Sequence, residues 1–246
     1  MRNLKLTIEY DGTKYQGWQI QGDAPTIQKT LEEAIPRIVQ HPVKIIGSGR
    51  TDSGVHALGQ TANFQTTSTI PPGKLIHGIN AWLPPEIAVV HAEDAPPDFH
   101  ARFSALDKTY RYTILNRPAR SPLLKNRAWH VREPLDTPAM QQAAEHLKGR
   151  HDFRAFQSKA DAASVETSVR TITRLEILRD REIVELFVTA NGFLYNMVRA
   201  IAGTLVQAGL HKLAPADVKR ILEYQDRSLG GPTAPPQGLC LIRVRY

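Results

Sequence analysis

Gly47-Ser48-Gly49-Arg50-Thr51-Asp52-Ser53-Gly54-Val55-His56-Ala57 is the stretch on which the reading of this chain turns. An apolar run over 43–46 precedes it and a short strand is expected over 60–64, so the pattern is a strand, a glycine-bracketed loop and a second strand. Glycines at 47, 49 and 54 permit φ > 0 and let a ligand crowd the backbone. That places Asp52 at a strand end within reach of a substrate. A lone loop aspartate is ordinarily a cap or a solvated turn residue. Here Arg50 stands two residues away, and Thr51 and Ser53 offer hydroxyls, which tips the balance toward chemistry. A nearby guanidinium favours the ionised carboxylate. Such a group serves as a nucleophile or an anchor and is a poor acid at neutral pH. On these residues the chain reads as an enzyme built around a carboxylate.

Outward from the loop, residues 4–10 alternate, with Leu4, Leu6 and Ile8 on one strand face. Thr26 is placed to cap a helix over 27–38 with the stripe Ile27, Leu31, Ala34, Ile35 and Ile38, and Pro36 sharpens or kinks its end. A helix over 74–81 stops before Pro84-Pro85, and a strand over 87–92 follows. The second half repeats the order. Strands are expected over 105–115 and 127–131, then a helix over 137–147 capped by Thr137 with Pro138 at its first position. Strands over 171–178 and 182–190 are joined at Arg179-Asp180-Arg181. Helices over 195–208 and 215–224 precede a last strand over 241–246. The expected fold is α+β, with two similar halves, residues 1–104 and 105–246. Their mostly antiparallel sheets would form a continuous central sheet flanked by helices, with an active-site cleft between the halves. Segments 157–168 and 226–237 have the composition of mobile, ligand-contacting loops.

The chain has 246 residues, 41% of them apolar, enough for real cores and too many for a disordered chain. No run approaches the roughly 18 apolar residues of a membrane span, and the start carries no signal-peptide pattern. A single cysteine, Cys240, excludes an intrachain disulfide and a thiolate zinc cluster. These features predict a cytoplasmic protein. The net charge of +7 favours a polyanionic partner. The basic residues lie among aromatics at Arg102-Phe103, Lys108-Thr109-Tyr110-Arg111-Tyr112 and His151-Asp152-Phe153-Arg154. Cations for phosphates and rings for bases hold single-stranded or distorted nucleic acid, so Arg102, Lys108 and Arg154 are candidate substrate contacts.

Several chemistries are disfavoured. A glycosidase-like pair needs a second carboxylate; Asp11 and Asp107 are the nearest alternatives, and neither has a comparable glycine setting. His56, His100, His130 and His151 are scattered and form no zinc or deaminase motif. The glycine loop lacks the Gly-Lys-Ser/Thr ending of a phosphate loop. Tyr110 and Tyr112 share one strand face; Tyr112 reads as core, while Tyr110 lies nearer the strand start, where it either fills the core or stacks on a base. In Asn191–Arg199, a strand end leads into a helix on which Asn196, Arg199 and Gly203 form a stripe, opposite a core face of Met197, Ile201, Leu205 and Ala208. An arginine on so apolar a helix is costly unless paired, and Asp52 is its candidate partner.

Taken together, these stretches resemble the TruA family of tRNA pseudouridine synthases. The resemblance is carried by Glu9-Tyr10-Asp11-Gly12-Thr13-Lys14-Tyr15-Gln16-Gly17-Trp18-Gln19, Gly49-Arg50-Thr51-Asp52-Ser53-Gly54-Val55-His56-Ala57 and Phe99-His100-Ala101-Arg102-Phe103-Ser104-Ala105. It continues through Lys108–Tyr112, His151-Asp152-Phe153, Val169-Arg170-Thr171-Ile172, Gly192–Arg199 and Thr233-Ala234-Pro235-Pro236-Gln237-Gly238-Leu239, in the family's order. The resemblance implies isomerisation of uridine to pseudouridine in the anticodon arm of tRNA, at nucleotides 38, 39 and 40. It implies that Asp52 is the catalytic aspartate, that Arg50 enters the helix stack in place of the flipped nucleotide, that Tyr110 stacks on the target base and that Arg199 pairs with the aspartate. It further implies a homodimer that holds each tRNA across both subunits, with no metal or organic cofactor. Ser53 departs from the alanine many members carry, a small change that leaves the assignment intact; segment 157–168 is the least family-like part. Two rivals differ in what they require. An RNA-binding module without chemistry has no need of Asp52, and an RNA glycosylase would release free uracil.

Overall fold

The alternation of Leu4, Leu6 and Ile8 produces β1 (Arg2–Tyr10), and all three side chains are fully buried. The computed structural model describes residues 1–158 and 167–246. They fall into two units, residues 1–106 with 240–246, and residues 107–239. In the first unit β1 lies between β3 (His56–Thr66) and β4 (Ile87–Ala95), antiparallel to both, with Leu6 opposite Ala62 and Ala92. β2 (Ile46–Gly47) pairs with β3, Ile46 facing Asn63. It is shorter than the strand expected over 43–46, because Ile45 N donates to the Glu32 carboxylate at 2.9 Å. The final strand, β10 (Leu239–Arg245), runs parallel to β3 with Cys240 opposite His56. Residues 240–246 therefore belong to the first unit, whereas the sequence reading assigned them to the second half.

The expected helix over 27–38 is two helices. Thr26 caps α1 (Ile27–Ala34), its hydroxyl accepting from Lys29 N at 3.3 Å. Pro36 has no N–H to continue the ladder, so α2 (Pro36–Val39) starts afresh and buries Val39, where Ile38 had been expected. α3 (Pro72–Asn80) is clipped to β4 by Asn80, which accepts from Val89 N at 2.8 Å and donates to Val89 O at 2.9 Å. Ile27, Leu31, Ile35, Leu75 and Ile79 join the β1 triad in a core with no exposed surface. Each such side chain contributes about 1.5–3 kcal/mol of apolar burial.

In the second unit β5 (Asp107–Asn116), β9 (Ile183–Ala190), β8 (Val169–Asp180) and β7 (Gly149–Asp152) are successive antiparallel neighbours. β6 (Trp129–Val131) adds to β5 in parallel. Both units are mixed α and β, as the sequence predicts. β7 was not anticipated, because Gly149-Arg150-His151-Asp152 has no apolar alternation to mark it. Asp136 caps α4 (Thr137–Glu145), accepting from Ala139 N at 3.0 Å, so Thr137 is the first helical residue and not the cap. α4 packs on β8, α5 (Met197–Gly209) and α6 (Pro215–Tyr224).

Segment 226–237, expected to be mobile, is strapped onto α5. Ala234 N donates to Arg199 O at 3.0 Å and Gly231 N to the Thr204 hydroxyl at 3.0 Å. Arg227 ties the strap to itself through Gly231 O and Thr233 Oγ1. The helix and strap touch at Gly203, where a Cβ would stand 1.7 Å from Pro232 O. Of the other loop, residues 159–166 lie outside the described residues. Among the described residues, no helix is long and apolar enough to cross a membrane.

Candidate active site

Two stretches far apart in the sequence interlock around Asp52. After a register shift between Ile8 and Tyr10, β1 leads into a 3-10 turn, Gly12–Lys14, capped by Asp11, which accepts from Thr13 N at 3.0 Å. The chain then runs alongside the glycine loop. Trp18 N donates to Thr51 O at 3.1 Å, and Gly54 N to Tyr15 O at 3.2 Å. Asp52 thus sits between two rungs of a backbone clamp and opens a tight turn closed by Val55 N on Asp52 O at 3.1 Å. The clamp is this close because residue 17 is glycine. Its φ is +86°, and a Cβ there would stand 2.4 Å from Thr51 O. Of the three glycines expected to adopt φ > 0, only Gly54 does, at +76°. Gly47 instead makes room for the Trp18 ring.

Beneath the loop lies a buried polar layer. The Tyr10 hydroxyl and Thr51 Oγ1 are 2.8 Å apart. The Ser48 hydroxyl donates to Gln60 Oε1 at 2.7 Å, and Gln60 Nε2 donates to Gly49 O at 3.0 Å. Burial pushes the Tyr10 phenol well above its ordinary pKa, and its bonds to Thr51 and Gln60 offset only part of that. The phenol therefore stays neutral and serves as a fixed hydrogen-bonding group. His56, almost fully buried, takes the Gly12 N–H on Nδ1 at 3.1 Å, with Asp11 Oδ1 also 3.1 Å away. Asp52 itself is half-buried, and Arg50 is exposed. A partly accessible carboxylate on a loop with no slack is preorganised to act as nucleophile or base.

The second unit holds the other candidates. Tyr110 lies on β5 opposite Val188 and is only 7% exposed. Phe193 meets it edge to face, with ring centroids 5.1 Å apart. Tyr112 is core, as expected; its hydroxyl donates to Pro235 O at 2.7 Å, and burial raises its pKa, with the Arg199 charge opposing. Arg199, in the first turn of α5, donates from Nε to Ala234 O at 2.8 Å and from Nη1 to Asn196 Oδ1 at 2.6 Å. Asn196 in turn donates to the Ser158 hydroxyl at 2.7 Å. Asn196 does not continue a helical stripe with Arg199 and Gly203. It precedes the helix with φ +60°, a left-handed conformation asparagine tolerates better than most residues. Nor does α5 have a single core face, since Ala200, Ala202 and Thr204 are buried as well.

Lys108 is half-buried at the start of β5, opposite Ala190. Arg154 opens a 3-10 turn and, with Gln157, Gln225 and Arg227, lines a cavity of about 520 Å³. Arg102 is exposed in a turn of the first unit. Arg50, Asp52 and Arg102 belong to the first unit; Lys108, Tyr110, Arg154 and Arg199 belong to the second. The reading of the residues assigned no part to Tyr10, Gly17, His56 or Phe193, and placed Asn196 on a helical stripe and not as the partner of the Arg199 guanidinium. Periodicity does not flag Tyr10, Gly17, His56 or Phe193; the signal that could have found them is that all of them, with Asn196, lie within the stretches that carry the family resemblance.

Comparison with known proteins shows the family. The family model described as tRNA pseudouridine synthase matches residues 6–104 and 143–246. A relative from Clostridium tetani (strain Massachusetts / E88), named tRNA pseudouridine synthase A 2, is 48% identical over 247 residues, spanning 100% of this chain and 99% of that protein. The tRNA pseudouridine synthases A of Thermoanaerobacter sp. (strain X514) and Pelobacter propionicus are 47% and 48% identical, each over 100% of both chains. A chain in a solved Cbf5-Nop10-Gar1 complex aligns with a TM-score of 0.39 and 12% identity, covering 97% of this chain and 58% of that one, a likeness too distant to bear on function. Full-length identity at this level, with the family model matching most of the chain, shows that the chain belongs to the tRNA pseudouridine synthase family of isomerases.

Proposed function

We propose that this protein isomerises uridine to pseudouridine in the anticodon arm of tRNA, at nucleotides 38, 39 and 40, with Asp52 as the essential carboxylate. The observation that carries the reading is the end-to-end identity with tRNA pseudouridine synthases A. The backbone clamp around Asp52 supports the role given to that residue. A uridine stacked in a stem or loop must leave the stack before its glycosidic bond is reached, at a cost of a few kcal/mol. Arg50, exposed beside the clamp, fills the vacated place. Tyr110 stacks on the extruded base, and Arg199 keeps Asp52 ionised.

The reaction breaks C1′–N1, turns the uracil and joins C5 to C1′. The proton lost from C5 is balanced by one gained at N1, so neither oxidant nor water is consumed. Three routes use the same ionised carboxylate: attack at C1′, attack at C6 of the base, or abstraction of the 2′ proton toward a glycal. Arg102, Lys108 and Arg154 hold the RNA backbone, and the enzyme acts as a homodimer in the cytoplasm, each tRNA spanning both subunits.

Incubation with unmodified tRNA, nuclease digestion and nucleoside chromatography with mass detection tests the reading. A uridine isomer of unchanged mass at positions 38–40 is expected. Release of free uracil would point to a glycosylase, and unaltered tRNA would leave an RNA-binding module. Sedimentation of the protein with and without tRNA tests the dimer.

A further inference from the structure

We propose that the turn at residues 99–104 is a stacking platform for an unpaired base of the RNA substrate, with the Phe103 ring as its face and Arg102 beside the neighbouring phosphate. Phe103 is 76% exposed, yet its surroundings are rigid. The His100 ring stacks on it with centroids 4.3 Å apart and planes 30° apart, and the Arg102 guanidinium lies 5.5 Å from its centre. His100 is locked in place. Its Nδ1 accepts from Arg102 N at 3.2 Å and Phe103 N at 3.3 Å, which puts the imidazole proton on Nε2, and its backbone exchanges bonds with Ser104.

The turn is also bolted to the sheet beneath it. Two buried asparagines do this: Asn3 donates to Phe99 O at 2.8 Å, and Asn63 accepts from Ala101 N at 2.8 Å while donating to Asn3 at 3.0 Å. The Tyr246 hydroxyl donates to Ala101 O at 2.8 Å, and its ring packs against Phe99, 4.9 Å between centroids, with Lys5 over both. Burying two side-chain amides is costly unless every bond is made. Here that cost holds a tip whose apolar ring faces water. A preformed ring loses little conformational freedom when a base stacks on it. An adjacent cation matches a nucleotide, which carries a flat π face and a phosphate within a few ångströms. A purely apolar protein partner would gain nothing from Arg102.

The proposal rests on the RNA-modifying reading above, and its test separates the two. Affinity for an unmodified tRNA transcript is measured for the wild type, Phe103→Leu and Phe103→Trp, alongside steady-state kinetics, thermal melting and sedimentation. Leucine keeps apolar bulk and removes the π face. It is expected to weaken binding about tenfold and to raise KM more than it lowers kcat, while tryptophan binds at least as tightly as phenylalanine. Arg102→Gln is expected to reduce the slope of log affinity against log salt by about one. Wild-type binding by a correctly melting Phe103→Leu protein overturns the platform. So does a loss of affinity that disappears once a lower sedimentation coefficient is accounted for, since the ring would then be a contact between copies. Failure of the wild type to form pseudouridine would instead defeat the functional reading, leaving the ratio of the affinities to judge the platform.

Discussion

The loop that carries Asp52 is fastened backbone to backbone, by Trp18 N on Thr51 O and Gly54 N on Tyr15 O. The helix start that carries Arg199 is also tied by its backbone, Ala234 N on Arg199 O and Ser158 N on Tyr195 O, but its guanidinium is mounted through side chains, on Ala234 O and by the relay from Arg199 through Asn196 to Ser158. The two arrangements suit different tasks. A carboxylate that meets a reacting carbon needs a position held within a fraction of an ångström, and peptide groups have no rotamers to lose. An arginine that supplies charge has a longer reach and tolerates a softer mount. The price of the first arrangement is sequence intolerance, because the clamp closes only over a residue without a Cβ.

The contrast is broken most directly at its centre. Asp52→Asn keeps the shape and removes the charge; pseudouridine formation should fall by more than about 10³-fold while tRNA affinity holds. Substantial residual turnover would mean that the clamp holds something other than the reactive group. Gly17→Ala comes next. A Cβ at φ +86° and 2.4 Å from Thr51 O must push the strands of the clamp apart. The expected cost is about 1–3 kcal/mol in denaturant stability, with a fall in kcat larger than the rise in KM. A Gly17→Ala protein with normal kcat would show that backbone fastening is dispensable.

The softer mount should respond more mildly. Asn196→Gly keeps the left-handed backbone and deletes only the amide, and is expected to cost about tenfold in kcat. Asn196→Ala adds backbone strain and should also lower stability. Equal kcat for Asn196→Gly and the wild type would remove the relay from the account of Arg199. The smallest effect is expected at Tyr10→Phe, which leaves the Thr51 hydroxyl short of one buried partner. A loss of about 1 kcal/mol is expected by chemical denaturation, with kcat reduced a few-fold. A larger kinetic than thermodynamic effect would mean that the buried layer aims Asp52 as well as supporting its loop.

The sequence alone was sufficient for the elements whose pattern is local. Leu4, Leu6 and Ile8 alternate, and Ile27, Leu31, Ala34 and Ile35 recur at the helical spacing, because strand pleat and helix pitch repeat within a few residues. The glycine-bracketed Arg50-Thr51-Asp52 was equally legible, since glycine and charge in one short loop need no distant partner to be noticed. Tertiary structure alone decided the rest. It showed that Gly12 and Gly17, not Gly47 or Gly49, are the glycines that let the two stretches close on each other, and that the proline-rich 226–237 stretch is pinned to α5 through Gly203. It also put the last strand beside β3 and set Asn196 outside the helix it introduces. Each of these depends on which backbone comes within 3 Å of which other one. That follows from how separate segments pack, a matter on which composition and periodicity carry no information.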